Sequence, residues 1–81
     1  MKTFHLTISR VGENLFDGES AKAVFPGSDG VFTVLPHHEA LISTLVSGEI
    51  MVEEGDGTTH RFEISPHGMV EVSNNQTTVL L

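Results

Sequence analysis

The sequence predicts an all-β fold, a two-sheet antiparallel β-sandwich of about ten short strands, built as a single domain over residues 1–81. Three observations carry this. Apolar residues recur at every second position, the period of a half-buried strand. Turn-forming clusters return about every 8–12 residues, at the spacing of a sandwich or barrel. No segment holds a helical period without a competing strand reading.

The elements follow in order. "FHLTIS" sets Phe4, Leu6 and Ile8 on one face and His5, Thr7 and Ser9 on the other. Gly12-Glu13-Asn14 and Asp17-Gly18 read as turns. "AKAVF" continues in β-favouring residues up to Pro26. The stretch "PGSDGVFTVLPHHEAL" then packs a turn, a short apolar run, a second proline, two histidines and a glutamate into Pro26–Leu41. "HHEALISTLVSG" is ambiguous. Leu41, Leu45 and Ile42 fit helical spacing, and a terminal glycine could cap a helix. Ile42, Thr44 and Val46 fit strand spacing, and Ser43, Thr44 and Ser47 are poor helix formers, so a strand is favoured. "EIMVEE" and "HRFEIS" flank "GDGTT", and "GMVEVS" and "TTVLL" flank "NNQ"; both are hairpin signals. The aromatic residues Phe4, Phe16, Phe25, Phe32 and Phe62 are sized to fill a sandwich core about 10 Å thick.

Composition narrows the function. The 81 residues carry a net charge of −7 and only four basic residues: Lys2, Arg10, Lys22 and Arg61. Nucleic acid binding needs clustered Lys and Arg to neutralise phosphates, so a nucleic acid partner is not expected. An anionic membrane surface would repel this chain, and no run approaches the ~20 apolar residues of a span, so no direct membrane insertion is expected. The opening residues lack the apolar core of a signal peptide, which points to a soluble cytoplasmic protein. With no cysteine there is neither a disulfide nor a thiolate site. A chain this short buries only about 60–70% of its unfolded surface, so a partner is a natural source of added stability.

The side chains that could carry chemistry do not form a recognisable set. His37 and His38 are adjacent, so on a strand they point to opposite faces and only one could join a metal site. Glu39, His60 and His67 are conceivable further ligands, but exposed loop histidines are the plainer reading. None of the serines lies in a G-x-S-x-G elbow. Glu53-Glu54 flank a turn and read as solvated charge, and "GSDG" lacks the Gly-Lys-Ser/Thr of a phosphate loop. The expectation is no catalytic residue, no cofactor and no metal. A binding or structural module is favoured over an enzyme; the alternative is a free-standing sandwich with a histidine-based metal or ligand site.

Read in order, the pieces resemble the N-terminal β-sandwich domain of the rotary ATP synthase epsilon subunit, called delta in mitochondria. The matching residues are Leu15-Phe16-Asp17-Gly18-Glu19, Pro26-Gly27-Ser28-Asp29-Gly30, Val34-Leu35-Pro36, His38, Leu41, Leu45, Gly48-Glu49-Ile50, Ser65, Gly68, Glu71-Val72 and Thr78-Val79-Leu80. They keep the family's order and nearly its spacing along almost the whole chain. There are departures. The family's glycine after Pro36 is His37 here, and its "PGHAPL" proline is Ala40. Its "SGG" reads Ser65-Pro66-His67-Gly68, one residue longer.

The resemblance implies two five-stranded sheets and a non-catalytic subunit of the central stalk. It would dock the gamma subunit onto the c-ring of the membrane sector and couple ring rotation to ATP synthesis, peripherally, on the cytoplasmic face of the inner (plasma) membrane. The Pro26–Leu41 stretch becomes a docking corner. Ser28, Asp29, Gly30 and Val31 are expected on the c-ring side, with Val31 where some members carry an acidic residue. His37, His38, Leu41 and Ile42 are expected on the gamma side. The family's C-terminal two-helix hairpin has no counterpart up to Leu81, so the chain is expected to be a short form that neither binds ATP nor inhibits hydrolysis.

Overall fold

The computed structural model describes residues 2–81. Among them run nine strands: β1 Phe4–Arg10, β2 Glu13–Ser20, β3 Lys22–Gly27, β4 Gly30–Val34, β5 Leu41–Thr44, β6 Gly48–Glu53, β7 Thr59–Ile64, β8 Met69–Ser73 and β9 Gln76–Leu80. A five-stranded sheet in the order β2-β1-β9-β8-β5 faces a four-stranded sheet in the order β4-β3-β6-β7. The ambiguous segment after Pro36 is strand over Leu41–Thr44, as its β-branched spacing predicts.

The alternation decides which face is buried. Phe4, Leu6 and Ile8 on β1, Ala23 and Phe25 on β3, Ile50 and Val52 on β6, and Val70, Val72 and Val79 on β8 and β9 all lie in the core. Phe16, Phe32 and Phe62 are only partly buried and close its margins. On one side Phe16 of edge strand β2 meets His60 and Phe62 of edge strand β7, with ring centroids 5.2 and 6.4 Å away. These tilted contacts join the two sheets across their open seam.

Two expectations change. Asp17-Gly18 is no turn: β2 runs unbroken through it, with Gly18 opposite Leu6 and Asp17 opposite Thr7. The second sheet has four strands rather than five. The chain between β5 and β6 adds only an isolated bridge, Gly27 to Leu45. Pro26 contributes to this. It lacks an N–H, and the β3–β6 ladder ends at Val24 opposite Met51, short of the proline. The Pro26 carbonyl instead accepts from Val46 N–H at 2.9 Å.

His37 and His67 both hold positive φ, at 63° and 82°. The first is where the family resemblance has glycine, and the second falls in the longer Ser65–Gly68 stretch; glycine enters that region without the Cβ clash. His67→Gly is therefore expected to stabilise the domain by about 1 kcal/mol, read as a higher urea midpoint. A lower midpoint would show that the histidine ring makes a contact worth more than the strain.

Candidate functional site: two exposed regions at opposite ends

The fold pulls the Pro26–Leu41 stretch apart. Ser28 and Asp29 form the two-residue tip between β3 and β4, closed by Gly27 opposite Gly30. Gly30 takes φ 127°, a conformation glycine adopts freely. The tip is fastened to the end of β5: Ser28 N–H donates to the Thr44 carbonyl at 3.0 Å, and the Ser28 and Thr44 hydroxyls lie 2.6 Å apart. Val31 follows on edge strand β4, 74% exposed and opposite Pro26.

His37 and His38 sit at the other end of the sandwich, beside the β8–β9 turn. His38 N–H donates to the Leu35 carbonyl at 3.1 Å and closes the corner. Its Nδ1 lies 2.7 Å from the Glu39 carbonyl, which only accepts, so Nδ1 donates. Leu41 and Ile42 lead into β5, the edge of the five-stranded sheet. Leu41 packs against the core, while Ile42 is 69% exposed. A shallow groove of about 370 Å³ is lined by Ala40, Leu41, Ile42, Glu71, Val72 and Ser73.

Exposed apolar side chains gather at the Ser28 end. Met69 and Leu80 are opposite each other on β8 and β9, and Thr44 neighbours Met69. Val46 bonds to Pro26, and Val11 is 99% exposed at the β1–β2 turn. Nothing local in the sequence puts Met69 and Leu80 beside the β3–β4 tip. That neighbourhood depends on strand order, which a single sequence does not display.

Elsewhere on the surface, His5 on β1 lies between two carboxylates of β2. Its Nε2 is 2.7 Å from Asp17 and its Nδ1 is 2.9 Å from Glu19. Both partners are acceptors, so the protonated ring satisfies both by donating from each nitrogen. The carboxylates occupy opposite ring nitrogens and do not converge on one point. The hydrogen bond to Glu19 raises the His5 pKa above its ordinary 6.5, and Asp17 adds to the effect. The same bond lowers Glu19 below its ordinary 4.5, helped by the Thr3 hydroxyl. The raised histidine adds stability that is complete below 6.5 and is lost as pH rises through its folded value. The lowered glutamate adds stability present above 4.5 and lost as pH falls through its folded value. The pair therefore supports the fold best between 4.5 and 6.5. His5→Gln is expected to flatten the decline above neutral pH, measured as melting temperature against pH. The effect is small, because the pair is exposed and water screens it.

Among the described residues no three His, Asp or Glu side chains are placed to hold a metal ion. His60 is taken by Glu54, 2.5 Å away, and His37 and His67 lie at opposite ends. Also among the described residues, no helix is long and apolar enough to cross a membrane.

These features define a class: a small two-sheet β-sandwich whose apolar exposure lies on its ends and edges, not in a cleft. Residues 3–81 match the family described as ATP synthase, Delta/Epsilon chain, beta-sandwich domain. The chain belongs to that family. It is 40% identical over its whole length to the ATP synthase epsilon chain of a Nitratiruptor species, covering 62% of that relative. It is 33% identical to the ATP synthase epsilon chain of Chlorobium limicola, with 98% of this chain and 89% of that one aligned. The chain spans 62% of the Campylobacter fetus epsilon chain and 57% of the Polaromonas naphthalenivorans one. The fold superposes at a TM-score of 0.90 on a chain in the cryo-EM structure of the Euglena gracilis mitochondrial ATP synthase OSCP/F1/c-ring assembly. The identity is 24%, over 99% of this chain and 51% of that one.

Proposed function

We propose that this domain is a non-catalytic rotor element of the proton-translocating ATP synthase, docking the gamma subunit onto the c-ring so that ring rotation reaches the stalk. Family membership over residues 3–81 carries the reading. The placement of the two candidate surfaces supports it, because a coupler needs two attachment points joined by something stiff. The sandwich provides this, with a fully packed core and a long axis of 32 Å. The Ser28–Val31 tip faces the c-ring, and the exposed apolar side chains around it extend that contact. The His37–His38 corner and the Leu41–Ile42 edge face gamma. The domain lies peripherally on the cytoplasmic side of the membrane.

The test is assembly and coupled proton pumping with single variants in the whole complex. Asp29→Lys reverses the charge at the tip and is expected to weaken attachment of the rotor to the ring. His38→Ala removes a half-buried ring from the corner and is expected to weaken retention on gamma. Unchanged assembly and pumping in both variants would remove these residues from the two interfaces.

A further inference from the structure

The Pro36–Ala40 corner has almost nothing to hold it. Among the described residues, one hydrogen bond ties it to another element: His37 N–H donates to Asn75 Oδ1 at 2.7 Å. The bonds of His38 to Leu35 and Glu39 stay within the corner or beside it. The backbone at His37 has positive φ, so the corner is strained at the residue that Asn75 grips.

Asn75 is itself fixed on three sides. Its Nδ2 donates to the Thr3 carbonyl at 2.9 Å, and its own carbonyl accepts from His5 N–H at 3.2 Å. One amide face meets an N–H and the other a carbonyl, which sets the orientation of the group. Asn74 and Asn75 hold φ of 53° and 60° in a two-residue turn between Ser73 and Gln76. That turn favours glycine at its second position, so the asparagine is there at some conformational cost. A side chain with both an acceptor and a donor accounts for it.

We infer that Asn75 is a positioning residue for the partner-binding corner: its side chain locks the strained His37 backbone and so presents His38 and the start of β5 in the orientation that gamma recognises. This rests on the placement of gamma at that corner proposed above. Without the lock the corner samples other conformations, and the binding-competent fraction falls.

Three variants of this chain separate the contributions. Asn75→Gly keeps the turn geometry and removes both side-chain bonds. Asn75→Asp keeps an acceptor for His37 N–H and loses the donor to Thr3. His38→Ala tests the interface itself. Each is measured for its Kd with the gamma subunit and for amide exchange at His37. Asn75→Gly is expected to bind gamma about tenfold more weakly, as for one lost hydrogen bond of ordinary worth, and to lose protection at His37. Asn75→Asp, which can still accept from His37 N–H but faces the Thr3 carbonyl without a donor, is expected to keep more affinity and more His37 protection than Asn75→Gly. If His38→Ala weakens binding while Asn75→Gly does not, the positioning role is wrong and the interface stands. If His38→Ala binds gamma normally, the interface placement is wrong. The His37 exchange then decides the lock alone: unchanged protection in Asn75→Gly overturns it, and lost protection restored by Asn75→Asp upholds it. Should Asn75→Gly fail to fold, fast His37 exchange in the parent chain would overturn the lock, and slow exchange in the parent that persists in Asn75→Asp would support it.

Discussion

Phe25→Ala is expected to cost about 3–5 kcal/mol of stability, the range for removing a fully buried aromatic side chain. Phe25 has no exposed surface, and it stacks at a tilt on Phe32 with ring centroids 5.5 Å apart. It comes from β3, an internal strand of the four-stranded sheet, and lies in the core cluster between the two sheets. Among the described residues there is no helix or third layer to move in and fill the hole. A domain of this length has roughly 4–12 kcal/mol in total, so the variant stands at or near the unfolding threshold. Urea unfolding followed by circular dichroism measures the change. A loss below about 1 kcal/mol would mean that the core collapses around the cavity far better than cores ordinarily do.

Gly27→Val is expected to be almost as damaging, by a different route. A Cβ at Gly27 would stand 2.7 Å from the Gly30 carbonyl and 2.8 Å from the Phe32 ring. Backbone cannot swing away as a side-chain tip can, so the hairpin would have to open. The expected cost is about 3 kcal/mol, at the upper end for overpacking. The loss should be accompanied by faster amide exchange at Ser28 and Val46, whose bonds to Thr44 and Pro26 depend on this approach. A variant with parental stability and exchange would show that the tip relaxes freely, and a freely relaxing tip is a poor mechanical contact.

The strands were legible because one face of each is dry and the other wet. Phe4, Leu6 and Ile8 could be assigned to the core from alternation alone, and their exposures of 1% or less agree. Both hairpins were readable from local turn chemistry, since Gly55 to Gly57 and Asn74-Asn75 sit between matched strands. Asp17-Gly18 misled because the same two residues that favour turns can also pass through an edge strand when their neighbours are paired. Gly18 is held opposite Leu6 by the β1–β2 ladder, and that pairing outweighs local preference. The parallel pairing of β1 with β9 joins the two ends of the chain, and no local signal reports it.

The same division applies to the surface. The sequence offered Ser28–Val31 and His37–Ile42 as one dense stretch, because they are neighbours along the chain. The sandwich places them at opposite ends, because β4 carries the chain down the length of the molecule. Asn75 read only as a turn residue. Its grip on His37 crosses 38 positions of sequence and becomes visible only when the β8–β9 turn is set against the corner. His5, Asp17 and Glu19 were each visible as polar residues, but their cluster needs the β1–β2 register, with His5 opposite Glu19 and Thr7 opposite Asp17.

The central claim is that this domain is a docking element of the rotor stalk, and direct complex formation tests it most plainly. The chain would be co-expressed with the gamma subunit from the same source and examined by size exclusion and native mass spectrometry. The account predicts a one-to-one complex that Ile42→Asp, on the exposed β5 edge, weakens without unfolding the domain. A chain that elutes alone beside folded gamma would contradict the stalk role, whatever the fold.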